Sequence, residues 1–169
     1  MKQMKTILYF AFLVLALSFK GYADEKNKGE KKGAEVSYFA ENNFLAKYQG
    51  AENVKWTVTN QFQKATFTLK GVKLAAFFDM NGEYIATTQF VDAKKLPAVG
   101  KNRLEKLYKG YEIEEVVRYD LDSQEDSRLE MLTGKRAYNT IYFASLKNND
   151  EKVVLKITPD GDVSYLKNL

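Results

Sequence analysis

Hydrophobic residues follow two rhythms along this chain, and the same punctuation separates them twice. From Ser37 onward, Tyr38, Phe39, Phe44, Leu45 and Tyr48 recur at roughly helical spacing, and Gly50 stands just past the last of them, where helices commonly end. The spacing predicts a first helix. From Val54 the period becomes two: Val54, Trp56 and Val58 alternate with Lys55, Thr57 and Thr59, and then Ala65, Phe67 and Leu69 alternate with Thr66, Thr68 and Lys70. Alternation of this kind predicts strands with one face on a core. Val72 to Asp79 and Glu83 to Val91 predict two more, joined through Met80-Asn81-Gly82, because Asn-Gly tolerates the positive φ of a tight turn. The order then restarts. Lys94-Lys95-Leu96-Pro97 leads into a helix with Pro97 in its first turn, and Val99, Leu104, Leu107 and Tyr108 form an apolar stripe that ends at Gly110. Four extended runs follow: Ile113 to Leu121, Ala137 to Leu146, Lys152 to Thr158, and Asp162 to Leu166, the last two joined by Pro159-Asp160-Gly161.

Each half thus closes its helix with an aromatic and then a glycine (Tyr48 and Gly50, Tyr108 and Gly110) and joins its last strand pair through a glycine turn at Gly82 or Gly161. Two copies of one αβ4 unit account for this better than eight unrelated strands. The expected class is α+β, with helices packed on one side of an antiparallel sheet. The expected boundaries are 36–92 for the first unit and 93–169 for the second, with a polar, acidic insertion near 123–134.

The residues before the first helix carry a different message. Met1 to Ala23 begin with Lys2 and Lys5, continue with an apolar run from Ile7 to Phe19 and finish in small residues around Gly21-Tyr22-Ala23, the three parts of an export signal. The run falls short of the ~20 residues a membrane-spanning helix takes. With no cysteine in the chain, lipid attachment at a cysteine after the signal is closed. Cleavage after Ala23 is expected, with a periplasmic or secreted product and no stable membrane insertion. Residues 24–35 follow as a flexible charged leader, since Asp24 to Gly33 hold no apolar residue to offset ordering.

Removing the signal also changes the charge. It takes Lys2, Lys5 and Lys20 and no acid, so 26 basic residues become 23 against 22 acidic ones, and the net charge falls from +4 to +1. Nucleic acid is therefore not an expected partner. Of the 169 residues, removal of 23 leaves 146, enough for one ordinary domain or two small units sharing a core, and eleven Phe and eleven Tyr in the full chain supply apolar area without disulfides. The chain has no histidine and no cysteine. Most zinc enzymes, haem proteins, cysteine proteases and serine hydrolases depend on one or the other. No catalytic residue, metal ligand or cofactor is assigned.

Asn53-Val54-Lys55-Trp56, the run Ala76-Phe77-Phe78-Asp79-Met80-Asn81-Gly82-Glu83-Tyr84 followed by Thr87, Leu96-Pro97, and Ile157-Thr158-Pro159-Asp160-Gly161 together resemble the PepSY-like family, also described as β-lactamase-inhibitor-like, of secreted proteins from Bacteroidetes-type bacteria. The resemblance covers roughly Phe44 to the C-terminus. It implies a tandem αβ4 fold like that of β-lactamase inhibitory protein, whose concave sheet and loops grip an enzyme. That inhibitor is stapled by disulfides, which this chain lacks, so the resemblance implies the fold more strongly than inhibition.

Two acidic runs and one run resembling a phosphate loop, Ala98-Val99-Gly100-Lys101-Asn102, are candidates for chemistry. Asp120, Asp122, Gln124 and Asp126 have calcium-loop spacing, but Glu125 and Met131 stand where an EF-hand needs Gly and Glu, and a solvated acidic loop is the simpler reading. Asp79, Asn81 and Glu83 are explained by hairpin turn chemistry, and Ala98 to Asn102 by a helix start. For binding, if Val72, Leu74, Ala76 and Phe78 face the core, Lys73, Ala75 and Phe77 face outward, joined in the second unit by Tyr138, Thr140 and Tyr142. The expected contact residues are Phe77, Lys73, Tyr138 and Tyr142. They would form either an outward patch for an extracytoplasmic protein or peptide, or packing between the two units. The expected function is a non-catalytic binding or inhibitory module of the cell envelope, the alternative a periplasmic domain that senses a small ligand, glycan or metal.

Overall fold

The computed structural model describes residues 35–121 and 138–169. The expected export signal, most of the expected charged leader and the insertion expected near 123–134 lie outside the described residues. Two helices and eight strands follow in chain order: α1 (Tyr38–Lys47), β1 (Glu52–Val58), β2 (Gln63–Leu69), β3 (Val72–Phe78), β4 (Tyr84–Val91), a 3-10 turn (Ala93–Lys95), α2 (Ala98–Leu107), β5 (Glu112–Leu121), β6 (Thr140–Asn148), β7 (Glu151–Ile157) and β8 (Val163–Asn168). In hydrogen-bonding order the strands run β1 to β8 in an eight-stranded sheet, and the α+β class expected from the sequence is observed. The chain divides into two compact units at Ile85 and Ala86, inside β4.

In the first unit, α1 starts where Ser37, with extended backbone, accepts a hydrogen bond from the Ala40 N–H at 3.2 Å. This satisfies one of the helix's orphan donors. The helix ends where the Tyr48 N–H reaches Phe44 O at 2.9 Å and Gly50 takes φ +78°. Of the five apolar residues that mark this helix in the sequence, only Phe44 and Tyr48 are buried, together with Ala40; Tyr38, Phe39 and Leu45 are exposed. The reason is geometric. Positions 40, 44 and 48 form one narrow stripe, and a neighbour one residue along lies about 100° further round the helix, away from the sheet. The stripe packs on Ala65, Phe67, Ala76 and Phe78, with Trp56, Leu69, Leu74 and Tyr84 at the margin. Phe44 meets Phe67 edge-to-face at 4.9 Å and Trp56 at 5.4 Å.

Alternation in β3 follows the sequence pattern. Leu74, Ala76 and Phe78 pack with the α1 group, whereas Ala75 and Phe77 join Phe62 and Ile85 in a separate cluster. β1 carries a bulge between Glu52 and Lys55, with Asn53 at φ +54°.

The second unit is built on a comparable plan. α2 places Gly100, Leu104 and Tyr108 over Val116, Ala144, Leu146, Val153, Leu155 and Ile157, with Leu96 completing the core. Val99 and Leu107 from the expected stripe are exposed. Pro97 serves as N-cap residue without a side-chain bond, one position earlier than a first-turn proline. The Tyr108 N–H reaches Leu104 O at 2.9 Å, and Gly110 takes φ +84°. β5 has a bulge between Ile113 and Glu115.

Candidate binding surface

The turn between β3 and β4 is tied within itself before it touches anything else. The Asp79 N–H donates to Glu83 O at 2.9 Å, and the Gly82 N–H to Asp79 O at 3.1 Å. The Asp79 carboxylate accepts from the backbone N–H groups of Asn81 and Glu83 at 2.9 and 2.8 Å. Gly82, at φ +86°, brings this turn against the start of α1, so closely that a methyl group there would meet the Ala40 nitrogen at 2.5 Å and the Phe39 Cβ at 2.6 Å. The Asn43 side-chain amide donates to Gly82 O at 2.9 Å.

A buried amide locks the other side. Gln63 donates through Nε2 to Ser37 Oγ and to Asp79 O, both at 2.9 Å, while its Oε1 accepts from the Ser37 N–H at 2.6 Å. Helix start, strand start and turn are thereby fixed to one another.

On this frame stand three large apolar side chains. Tyr38 is 74% exposed and Phe39 66%, with ring centroids 5.8 Å apart in edge-to-face contact, and Met80, in the adjoining turn, is 48% exposed. Their surroundings are acidic: Glu35, Glu41 and Glu83 are exposed and Asp79 is half-buried. Neither 35–43 nor 79–83 contains a lysine or arginine. The sequence did hold a signal for this surface, since two consecutive aromatics cannot both occupy a stripe spaced at i, i+4 and i+8.

The corresponding place in the second unit has different chemistry. Gly161, at φ +91°, approaches Val99 and the Gly100 nitrogen as Gly82 approaches Phe39 and Ala40. Where Asn43 holds a carbonyl, the Arg103 guanidinium pairs with the Asp162 carboxylate. The Thr158 and Tyr138 hydroxyls donate to Asp160 and hold its carboxyl below the usual carboxylate range, Thr158 being the larger cause. Val99 is the exposed apolar residue there, and no aromatic ring accompanies it on the first turn of α2.

The four contact residues expected from the sequence have separate fates. Lys73 is exposed, opposite Thr68 on β2. Phe77 does face away from α1, but it has no exposed surface, and Phe62 lies edge-to-face with it at 5.7 Å. Tyr138 is half-buried and bound to Asp160. Tyr142 lies on the α2 side, packed against that helix's core and paired with Ile157. An outward position for Tyr142 is corrected: in β6 it shares a face with Ala144 and Leu146, which belong to the same core. Within the acidic run only Asp120 and Leu121 are described, and the Asp120 carboxylate accepts from Thr140 at 2.6 Å and Arg118 at 2.9 Å. Among the described residues no group of three or more acidic side chains is placed to hold a metal, and no helix is long and apolar enough to cross a membrane.

No protein-family model matches the chain, and no curated protein matches it. Solved structures do. A BLIP-like protein from Bacteroides fragilis superposes with a TM-score of 0.64 at 16% identity, covering 82% of this chain and 89% of its own. A DUF2874 family protein from Bacteroides uniformis gives 0.65 at 14% identity, over 79% of this chain and 90% of its own. Another, from Bacteroides ovatus, gives 0.65 at 17% identity, over 80% and 89%. The chain therefore has the fold of these BLIP-like and DUF2874 proteins from Bacteroides.

Proposed function

We propose that this protein is an exported, non-catalytic binding module of the cell envelope, built from two copies of one αβ4 unit and allied to the PepSY-like family, with a protein or peptide as its partner. The export part rests on the three-part signal in Met1 to Ala23. The binding part rests on one observation, the exposed pair Tyr38 and Phe39 on an immobilised helix start, with Met80 exposed in the turn that Gly82 holds against it. Aromatic and methionine side chains are enriched in the centres of protein interfaces. Rings held on a fixed backbone also lose less conformational freedom on binding. Among the residues expected from the sequence, Lys73 is exposed and remains available as a contact, whereas Phe77 is buried with Phe62, Ala75 and Ile85.

The test is affinity capture from envelope extract and culture medium on immobilised protein from Asp24 onward, read by mass spectrometry beside a Tyr38→Ala, Phe39→Ala variant. A protein retained by the natural chain and lost by the folded variant supports the reading. Retention by both removes this surface, and retention of nothing moves the proposal to the alternative, a small-ligand, glycan or metal sensor.

A further inference from the structure

We infer that the partner of the α1 end is a cationic amphipathic segment, a peptide stretch that presents lysine or arginine beside an apolar side chain. This inference rests on the binding reading above and specifies its partner.

The argument is charge complementarity around the exposed rings. Tyr38 and Phe39 project from the first turn of α1, and Met80 from the turn that Gly82 presses against that helix. Glu35 and Glu41 lie on the helix side of this surface and Asp79 and Glu83 on the turn side, with no basic residue in either stretch. The nearest basic residue along the helix is Lys47 in its last turn, and its ammonium already sits over the Tyr84 ring at 4.1 Å from the centroid. Asp79 is occupied with turn N–H groups, which leaves the exposed Glu35, Glu41 and Glu83 as the outward charges. An aromatic face attracts cations, lysine and arginine above all. The carboxylates add ion pairs around the rings, and the apolar surface takes the stems of those same side chains. An acidic segment would meet uncompensated repulsion here. A purely apolar one would bury carboxylates without partners.

The second unit supplies an internal contrast. Its equivalent place offers Val99 where the first unit has two exposed rings, its Tyr138 ring is half-buried with the hydroxyl tied to Asp160, and its Asp162 carboxylate is already paired with Arg103, so the same segment finds no exposed ring on that helix start and a cation already in place beside it.

Three fluorescein-labelled amphipathic peptides test the inference, alike in their leucine positions and carrying lysine, glutamate or serine elsewhere. Binding to the protein from Asp24 onward is followed by anisotropy at low salt and at about 0.5 M salt. The expected result is lysine-peptide binding at least roughly tenfold tighter than glutamate-peptide binding. It should weaken in salt, fall in Glu41→Gln and Glu83→Gln, and vanish in Tyr38→Ala, Phe39→Ala. Alanine keeps the Cβ that contacts Gly82, and circular dichroism verifies the fold. If all three peptides bind equally and the aromatic variant abolishes binding, the charge inference is overturned while the binding surface stands. Lysine-peptide binding that survives the aromatic variant overturns both, and failure of the lysine peptide to bind overturns the inference.

Discussion

Gln63 is 1% exposed, yet every polar atom of its amide has a partner: two acceptors for Nε2 and one donor for Oε1. Those partners belong to the cap of α1 and to the β3–β4 turn, so one side chain holds two elements to the head of β2. Gln63→Leu, of similar volume, should cost about 3 kcal/mol, because Ser37 and Asp79 lose partners in a place screened from water. Urea unfolding would show a lower midpoint at unchanged slope; a loss under about 1 kcal/mol would mean that water replaces the amide. This role was not legible in the sequence, where a polar residue at a strand start reads as solvent-facing. Asp160 offers a second test at this scale. Hydroxyls of Thr158 and Tyr138 donate to its carboxylate and depress its pKa, so the folded form holds its proton less tightly than the unfolded chain. The stabilisation is present above the unfolded value of about 3.9 and is lost as pH falls through the folded value. Carboxyl NMR titration should place the Asp160 midpoint below about 3.9. Tyr138→Phe should raise it and Thr158→Val should raise it further. An ordinary midpoint in the natural chain would show that these bonds are not populated in solution.

Helices and turns meet by the same device in both units: a small residue on the helix, Ala40 or Gly100, faces a glycine in a turn, Gly82 or Gly161. Positive φ alone does not make these glycines essential. Gly50 also has φ +78° but has nothing within 4 Å of the place a Cβ would take. Gly50→Ala should therefore cost about 1 kcal/mol, the penalty of a side chain in left-handed backbone. Gly82→Ala should cost roughly 3 kcal/mol, since a methyl group must also displace the backbone of α1. Thermal unfolding of the two variants side by side would separate conformation from packing, and equal losses would mean that the turn yields without disturbing the helix. Elements of this kind were legible where the pattern had a single answer. β3 showed which residues share a face because Leu74, Ala76 and Phe78 alternate with Lys73, Ala75 and Phe77, but not that the second face, with Ala75 and Phe77, is buried as well. β6 did not, because Ile141 and Phe143 on one parity are as apolar as Tyr142, Ala144 and Leu146 on the other. Tyr142 could be assigned only once the core was seen. The exposed helix starts were only partly legible: apolar spacing locates a helix but does not say how wide a stripe its neighbour will cover, and only the adjacency of Tyr38 and Phe39 marks a ring that must lie outside the stripe.

At the scale of the whole molecule, the order of helices and strands could be read from periodicity and turns, whereas the likeness to Bacteroides structures survives at only 14–17% identity. A fold held by apolar pattern and a few close contacts can persist while its surface chemistry is replaced, and the two helix ends of this chain differ in that way. Charge behaves similarly. Residues 24–169, the stretch used in the binding tests, carry +1 overall, so long-range attraction of a cation by the molecule as a whole is not expected, and the acidic α1 end acts only within about 10 Å at 0.1 M salt. This separates two stages of the proposed encounter. Glutamates at the rim should govern how fast a lysine-bearing peptide arrives, and the rings how long it stays. Stopped-flow measurements should find association slowed in Glu41→Gln and Glu83→Gln with little change in dissociation, and the salt dependence of association reduced. Tyr38→Ala should do the reverse, speeding dissociation by roughly tenfold or more, as expected for loss of a central aromatic contact. If neutralising the glutamates instead changed dissociation as strongly as removing the ring, the carboxylates would be part of the desolvated contact itself, because only a charge pair shielded from water in the bound state holds the complex together after arrival.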